Sequence, residues 1–249
     1  MKVEVWTDMV CPFCYIGKRH LEAGLAKLAH PEAVNMVYRS FELDPDMEVN
    51  PSDDVYGLAA AKKGSTREHM KAMQVMISKR AEQVGLTFNY DTAKPTNTFN
   101  AHRLLKYAMK WGKGDDLMER LYKAYFTDSL HLGDIDTLVE LAVQSGLSRT
   151  DTEAILASNQ FGDEVRADEL EASRLGIRGV PFFVINDKYA ISGAQPAEVF
   201  IEALQQAWKE ENPFVSFQSA SLDPDAALCE EGSCEIPKNS TDGNKSSSR

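Results

Sequence analysis

The strongest constraint on what this chain can fold into is a pair of cysteines, Cys11 and Cys14, separated by two residues near the N-terminus. The short segment 3–6 before the pair alternates in hydropathy and predicts a strand. After the pair, the apolar positions of segment 21–28 recur at helical spacing, and Pro31 marks the stop. The two cysteines therefore lie at a predicted junction between a strand and a helix.

This position has a chemical consequence for the two thiols. Pro12 suits the first turn of a helix, and a thiolate at a helix N-terminus is stabilised by free backbone N–H groups and the helix dipole. We predict that Cys11 is the exposed nucleophile and that Cys14 is the buried thiol that resolves the mixed disulfide. The alternative is half of a zinc site, because C-x-x-C also supplies two tetrahedral ligands. The strand before and the helix after favour the redox interpretation.

The charge balance excludes several classes of partner. Lys and Arg total 27 while Asp and Glu total 38, which gives a net charge of −11. Because phosphate backbones need clustered cations, we expect neither a nucleic-acid nor a membrane partner. The first residues lack the apolar run of a secretory signal, and we predict a cytoplasmic protein. In a reducing compartment, four cysteines indicate redox or metal chemistry rather than structural disulfides.

A second motif lies far downstream, at Gly179–Phe183. It precedes a predicted β-hairpin with strands at 182–185 and 189–191 around the polar turn 186–188. Pro181 stands at the start of the first of these strands. Taken alone, it reads as an edge or turn proline, since most X–Pro bonds are trans.

The two motifs together resemble the DsbA family of thioredoxin-fold proteins. The resemblance rests on the Cys-Pro-Phe-Cys sequence at 11–14 after the first strand and on Gly179–Phe183 before the late hairpin, and it spans roughly residues 1–210. It is closest to the cytoplasmic FrnE-like branch, which also has a C-x4-C pair near its C-terminus, matched here by Cys229 and Cys234. The resemblance implies an α/β thioredoxin fold and a thiol–disulfide oxidoreductase or disulfide isomerase.

The resemblance also implies which residues form the site. In that family the proline is cis and packs beside the C-x-x-C, so the Val180–Pro181 bond is expected to be cis. The catalytic residues would be Cys11 and Cys14, and the residues that shape the site would be Pro12, Phe13, Val180 and Pro181. Because Pro181 would block metal capture by the cysteines, neither a metal nor a cofactor is expected.

The same resemblance suggests a domain organisation. Residues 51–175 have an almost entirely helical pattern and would form a domain inserted into a thioredoxin fold made of 1–50 and 176–211. The last segment, 212–249, is rich in Ser, Asp, Glu, Pro and Gly and predicts a flexible tail.

The tail cysteines leave three interpretations open. The resemblance implies that Cys229 and Cys234 exchange electrons with Cys11. The alternatives are an inert disulfide, which the spacing permits, and the second half of a zinc site completed by Cys11 and Cys14.

Three further features are ambiguous. Asp8 stands three residues before Cys11 and could assist proton transfer, as an acid does at this position in many FrnE-like chains, although such residues more often accept turn hydrogen bonds. His102 reads as a hydrogen-bonded, partly buried histidine, although the related isomerase and kappa-class glutathione transferase branch has polar residues at this place near its site. Met70, Met73 and Met76 lie at helical spacing and predict core positions, with an adaptable substrate surface as the alternative.

One departure from the family pattern bears on function. DsbA-like oxidases place a histidine where this chain has Phe13, so the Cys11 thiolate should be less stabilised and the disulfide less oxidising. That favours a cytosolic reductase or isomerase acting on disulfide- or thiol-containing proteins, with a thioredoxin or glutathione as reductant. The alternative function is a redox-regulated chaperone, in which the helical segment binds clients and the cysteines only sense oxidants.

Overall fold

The structure is a computed structural model, and it describes residues 1–213. This part of the chain forms four strands, nine α-helices and a short 3-10 helix at Pro31–Ala33. In chain order the main elements are β1 (Lys2–Thr7), α1 (Pro12–Leu25), β2 (Asn35–Ser40), α2 (Val55–Lys63), α3 (Arg67–Glu82), α4 (Phe99–Lys110), α5 (Gly114–Phe126), α6 (Ile135–Gln144), α7 (Arg149–Leu156), α8 (Gly162–Arg174), β3 (Phe182–Ile185), β4 (Tyr189–Ser192) and α9 (Ala197–Glu211). Cys229 and Cys234 lie outside the described residues, as does nearly all of the predicted tail.

The four strands form one mixed sheet in the order β2-β1-β3-β4. Strand β1 is parallel to β2 and antiparallel to β3, with Val5 opposite Phe183. Strands β3 and β4 form the predicted hairpin, whose turn places Asn186 and Asp187 at φ values of 50° and 55°. Positive φ at two successive residues is typical of a type I′ turn, which Asn and Asp tolerate. The predicted α/β thioredoxin fold is confirmed.

Alternation along the strands covers both faces of the sheet with helices. On one face, Phe183 packs against Phe200 of α9, with ring centroids 4.8 Å apart at 84°. On the opposite face, Trp6 is buried with Ala172 of α8 and with Ile177. The central strand β1 is therefore covered on both sides, which explains its nearly continuous burial.

Two glycines let α1 approach its neighbours closely. A Cβ at Gly24 would lie 2.9 Å from Cβ of Phe200, so a side chain there would push α1 away from α9. A Cβ at Gly17 would lie 3.1 Å from Cγ of Pro181. The second contact sets the distance between α1 and the start of β3.

Helices α2 to α8 lie in the chain between β2 and β3, where the periodicity predicts a helical segment. Side chains cap several of them: Asp54 accepts hydrogen bonds from the first turn of α2, and Ser148 does so for α7. Residues 1–212 pack as one compact unit, and the division into a thioredoxin domain and a helical domain stays a prediction. Among the described helices, none has the length and apolar character needed to cross a bilayer.

A buried ion cluster joins the helical segment to the sheet. Asp168 of α8 is 3% exposed and accepts hydrogen bonds from the backbone N–H of Ser40 at 2.7 Å and from Arg39 at 3.0 Å. It also pairs with Lys106 of α4, which is itself buried. Burial lowers the pKa of Lys106, and the charge of Asp168 opposes this shift. The carboxylate therefore compensates a buried cation at the junction of α4, α8 and β2.

Candidate active site

Cys11 is the N-cap residue of α1, and Pro12 occupies the first helical turn, as the sequence predicts. The Cys11 backbone is extended (φ −88°, ψ 113°), and its N–H donates to the carbonyl of Asp8 at 3.1 Å. Its own carbonyl accepts the N–H of Cys14 at 3.1 Å. Both thiols are free in this structure. The Cys11 sulfur therefore stands at the positive end of the helix dipole, where a thiolate is stabilised.

The burial of the two cysteines differs in part from the expectation. Cys14 is buried as predicted, with 2% of its surface exposed. The prediction of an exposed Cys11 is wrong, because only 4% of the residue's surface is accessible to solvent. Val180 and side chains of α2 and α3 line the cavity that Cys11 faces. A substrate disulfide would therefore have to enter this cavity to reach the sulfur.

The Val180–Pro181 peptide bond is cis, as the resemblance implies. The Cys11 thiol donates a hydrogen bond to the carbonyl oxygen of Val180, with Sγ and O 3.6 Å apart. The start of β3 thus brings Val180 and Pro181 against the N-terminus of α1, and Gly17 provides the space for this approach.

Cys14 is held as a neutral thiol. Burial raises the pKa of Cys14 well above its ordinary value, and its hydrogen bond with Cys11 adds to the shift. Hydrogen bonds from Thr7 and from the backbone of Asp8 act in the opposite direction. The Thr7 hydroxyl is in turn hydrogen-bonded to the buried Tyr122. Because Cys14 carries its proton at neutral pH, its attack on a mixed disulfide needs a group that accepts this proton.

Asp8 is buried beside the cysteine pair, with 1% of its surface exposed. Its carboxylate accepts a hydrogen bond from the N–H of Leu43 at 2.8 Å and a longer one from the N–H of Val10 at 3.5 Å. Asp8 therefore has the turn-forming contacts expected of such a residue. In addition, the backbone of Asp8 forms a hydrogen bond with the Cys14 thiol.

His102 of α4 differs from the expectation of a hydrogen-bonded, partly buried side chain. It is fully buried, and within the described part of the chain neither ring nitrogen has a hydrogen-bond partner. Its Nε2 atom lies 3.6 Å from Oδ1 of Asp8. Leaving a buried polar group unpaired costs about 1–3 kcal/mol. The fold accepts this cost next to a buried carboxylate at the active site.

Glu42, just after β2, is a third buried polar side chain in this region. It pairs with Nη1 of Arg166 at 2.5 Å and accepts a weak hydrogen bond from Asn97 at 3.4 Å. Burial raises the pKa of Glu42, while Arg166 and the nearby His102 oppose the shift. Since the Arg166 side chain is 49% exposed, Glu42 is connected to the protein surface.

An apolar cavity of about 480 Å³ opens beside Cys11. Phe13, Met70, Met73, Ile77 and Tyr90 line it, with two lysines at positions 62 and 63. The prediction of core positions for the methionines is correct for Met70 only, because Met73 is half-buried in the cavity wall and position 76 is 62% exposed. The cavity thus presents flexible apolar side chains next to the reactive sulfur.

The described residues contain no group of three or more His, Cys, Asp or Glu side chains arranged to hold a metal ion. A zinc site completed by Cys229 and Cys234 would include residues outside that range.

Sequence reasoning missed Glu42, Tyr90 and Tyr125 as neighbours of the site. Tyr90 and Tyr125 line the cavity, and Glu42 carries a buried charge near His102. A single acidic or aromatic residue has no sequence pattern around it that would predict a place at the active site. Only the packing of the helices on the sheet brings these residues together.

Three comparisons with known proteins bear on this site. Residues 2–205 match the family described as "DSBA-like thioredoxin domain". The uncharacterized protein YwbO of Bacillus subtilis (strain 168) is 28% identical over 212 residues, which cover 84% of this chain and 98% of that protein. The crystal structure of a probable DsbA oxidoreductase from Streptomyces coelicolor has 41% sequence identity and a TM-score of 0.80, over 90% of this chain and 97% of the other.

A more distant structure shares the fold. The cytosolic disulfide reductase DsbM from Pseudomonas aeruginosa, solved with GSH, has 16% identity and a TM-score of 0.58, over 84% of this chain and all (100%) of the other.

Proposed function

The chain belongs to the DSBA-like thioredoxin domain family, a family of thiol–disulfide oxidoreductases, and we propose that it reduces or isomerises disulfides of protein substrates through Cys11 and Cys14. The observation that carries this proposal is the position of the Cys11 sulfur at the N-terminus of α1, 3.6 Å from the Val180 carbonyl. The helix N-terminus favours a thiolate at this position, and the cavity beside the sulfur can receive a substrate.

The reaction has two exchange steps. The Cys11 thiolate attacks one sulfur of the substrate disulfide, the substrate S–S bond breaks, and the other substrate sulfur leaves as a thiolate. Cys14 then loses its proton and attacks Cys11, which forms the Cys11–Cys14 disulfide and releases the second substrate thiolate. In isomerisation, a substrate thiolate attacks the mixed disulfide before Cys14 does. Each step conserves electrons, because one disulfide replaces another.

The identity of the residue between the cysteines, Phe13, supports reduction or isomerisation of the substrate over its oxidation. Phe13 cannot donate a hydrogen bond or carry a charge, so it stabilises the thiolate less than a histidine would. A less stabilised thiolate makes the Cys11–Cys14 disulfide less oxidising. This supports a cytoplasmic reductase or isomerase that receives electrons from glutathione or a thioredoxin. The structure of DsbM with GSH is consistent with glutathione in that role.

Four neighbours would shape the site. Pro12 starts the helix that stabilises the thiolate, and Phe13 lines the apolar cavity. Val180 offers its carbonyl to the Cys11 sulfur, and Pro181 fixes the loop against Gly17. The apolar lining favours substrates whose cysteine lies in an apolar polypeptide segment.

Asp8 would accept the Cys14 proton. Its carboxylate is buried, and the backbone of the same residue hydrogen-bonds the Cys14 thiol.

The pair Cys229 and Cys234 would pass electrons to or from Cys11 and Cys14. This part of the proposal rests on the C-x4-C spacing in the sequence, because both residues lie outside the described range. A full-length Cys229→Ser/Cys234→Ser variant tests it. Turnover supported by glutathione should slow, whereas unchanged rates would show that the second pair is inert.

The proposed function is tested by reduction of insulin with glutathione as electron donor. Wild type should turn over, Cys11→Ser should be inactive, and Cys14→Ser should accumulate a mixed disulfide on Cys11. Absence of turnover in wild type, combined with binding of unfolded clients that survives in Cys11→Ser, would favour the redox-regulated chaperone instead.

A further inference from the structure

Three buried polar side chains lie near the active site and have no apolar packing role. Nε2 of His102 lies 3.6 Å from Oδ1 of Asp8, and Glu42, which pairs with Arg166, interacts electrostatically with His102. Asp8 and His102 are 1% and 0% exposed, and the Glu42 side chain is 0% exposed. The reaction as described so far uses Asp8 only. His102 and Glu42 are titratable groups in the protein interior without an assigned task.

The hydrogen-bonding state of His102 distinguishes it from a structural histidine. A structural imidazole in a protein core normally donates to or accepts from a fixed partner. Within residues 1–213, His102 has none, although carboxylates stand close to it. One ring nitrogen of a neutral imidazole has a lone pair that can accept a proton, and no hydrogen bond occupies either ring nitrogen of His102.

Resting on the proposed function, we propose that His102 is a positioning residue for the resolving step, which stores the proton that Asp8 takes from Cys14. The Cys14 thiol gives its proton to the Asp8 carboxylate, and the proton then moves to His102. The product is an imidazolium beside the Asp8 carboxylate, and its charge interacts favourably with that of Glu42. The electron pair left on the Cys14 sulfur forms the bond to Cys11, and the substrate sulfur leaves with the electrons of the broken mixed disulfide. Reoxidation of the substrate runs the same steps in reverse.

The surroundings favour this assignment electrostatically. Glu42 faces His102 from the segment after β2, and its interaction with an imidazolium is favourable. From α8, Arg166 and Glu169 contact Glu42 and leave that region close to neutral. From α5, the neutral Tyr125 lies near Asp8.

The next charged pair on α4 is separate. Lys106, one helical turn from His102, is bound to Asp168 of α8. The positive charge of Lys106 is therefore compensated by the Asp168 carboxylate.

The test separates the two exchange steps with Ellman's disulfide as substrate. In full-length protein carrying Cys229→Ser and Cys234→Ser, reduced Cys11 and Cys14 release two equivalents of thionitrobenzoate. The first reports attack by Cys11 and the second reports resolution by Cys14. In His102→Gln the first phase should be unchanged, and the second should slow about tenfold at neutral pH. The second phase should approach the wild-type rate as pH rises, because hydroxide then takes the proton.

Asp8→Asn and His131→Gln complete the design. Asp8→Asn keeps an oxygen acceptor for Leu43 and should slow the same phase, and the double variant with His102→Gln should be no slower than Asp8→Asn alone. The control is His131→Gln, which should leave both phases unchanged. His131 is hydrogen-bonded to the Val49 carbonyl in another part of the fold.

Three results decide between the interpretations. If Asp8→Asn slows the second phase but folded His102→Gln and His102→Asn do not, the inference is wrong. A slowing of both phases by the same factor at every pH would mean that His102 is only structural, and this would also overturn it. If wild type releases neither equivalent, the proposed function itself fails.

Discussion

The Cys11 sulfur lies 3.6 Å from the carbonyl oxygen of Val180, a residue 169 positions later in the chain. The contact joins the N-terminus of α1 to the start of β3, so the site exists only when α1 packs on the sheet. Within α1, Gly17 is the residue that permits this packing next to Pro181. The reactivity of Cys11 therefore depends on a close contact between two segments that are distant in sequence.

Replacing Gly17 with Ala should reduce activity without unfolding the protein. The new Cβ would lie 3.1 Å from Pro181 and 3.2 Å from Phe183, so the Pro181 loop must shift by a few tenths of an ångström. The gain in helix propensity of about 1 kcal/mol offsets the overpacking. We expect insulin turnover to fall several-fold, with a change in unfolding free energy of less than about 1 kcal/mol.

Gly24→Ala provides the matched control in the same helix. Its Cβ would meet Phe200 at 2.9 Å, on the α9 side and away from the cysteines. This variant should lose stability in urea denaturation, while its rate of Cys11 alkylation matches wild type. Equal turnover in Gly17→Ala and wild type would show that the Pro181 contact does not tune the site.

The buried Cys14 thiol should make the reduced protein less stable in alkaline solution. The pKa of Cys14 is raised in the folded state, so above the pKa of about 8.5 of an unfolded cysteine only the unfolded chain loses this proton. The unfolding free energy should then fall with rising pH, by at most about 1.4 kcal/mol per pH unit from this group.

Urea denaturation of reduced wild type and Cys14→Ala between about pH 7 and pH 10 measures this effect. The variant should have the shallower dependence on pH, since the buried tyrosines titrate in both proteins. Parallel curves would contradict a raised pKa for Cys14.

Asp168→Ala should be strongly destabilising. The substitution leaves Lys106 as a buried cation without its carboxylate and removes the acceptor of the Ser40 N–H. Breaking a buried pair in this way costs about 3–5 kcal/mol. Glu164→Ala on the same helix is the control, because its pair with Lys110 is exposed and is worth less than about 1 kcal/mol. The free energy of unfolding of both variants is measured by chemical denaturation. A similar decrease in the two variants would show that the Asp168 cluster does not stabilise the contact between α4, α8 and β2.

A charge in the cavity should affect protein substrates more than small disulfides. Met73→Asp introduces a carboxylate into the apolar wall beside Cys11, whereas Met76→Asp on the same helix changes an exposed position. We expect Met73→Asp to raise the KM for insulin about tenfold or more. A loss of about 1.4 kcal/mol of substrate binding free energy corresponds to that factor. Its reaction with Ellman's disulfide should stay within about twofold of wild type. Identical insulin kinetics for the two variants would mean that substrates do not use this cavity.

The sequence predicts the local parts of this site well, for physical reasons. The N-cap position of Cys11 and the turn at Asn186 and Asp187 are set by residues close in sequence. The helical segment 51–175 is predicted by its periodicity, and α2 to α8 all lie within it. The cis isomer of the Val180–Pro181 bond is predicted only by the family resemblance, because the sequence around a single proline does not reveal its isomer.

The parts that depend on tertiary packing could not be predicted. The small exposed fraction of Cys11, 4%, depends on how closely α2 and α3 pack around the cavity that it faces, and no local motif encodes that packing. His102 lies on an apolar helix face, where a hydrogen-bonded core histidine is the ordinary expectation. Glu42 looks like a surface acid in the sequence, yet its side chain is fully buried against Arg166. Such placements follow from how α4 and α8 meet the sheet.

The reduction potential of the Cys11–Cys14 pair tests the central claim most directly. The full-length protein with Cys229→Ser and Cys234→Ser is equilibrated in glutathione buffers, and the fraction of disulfide is measured by alkylation and mass spectrometry. We predict one two-electron transition with a midpoint between about −200 and −300 mV, in the range of cytosolic reductases and isomerases. Failure of Cys11 and Cys14 to form a disulfide, or a midpoint near −120 mV as in strong oxidases, would contradict this account.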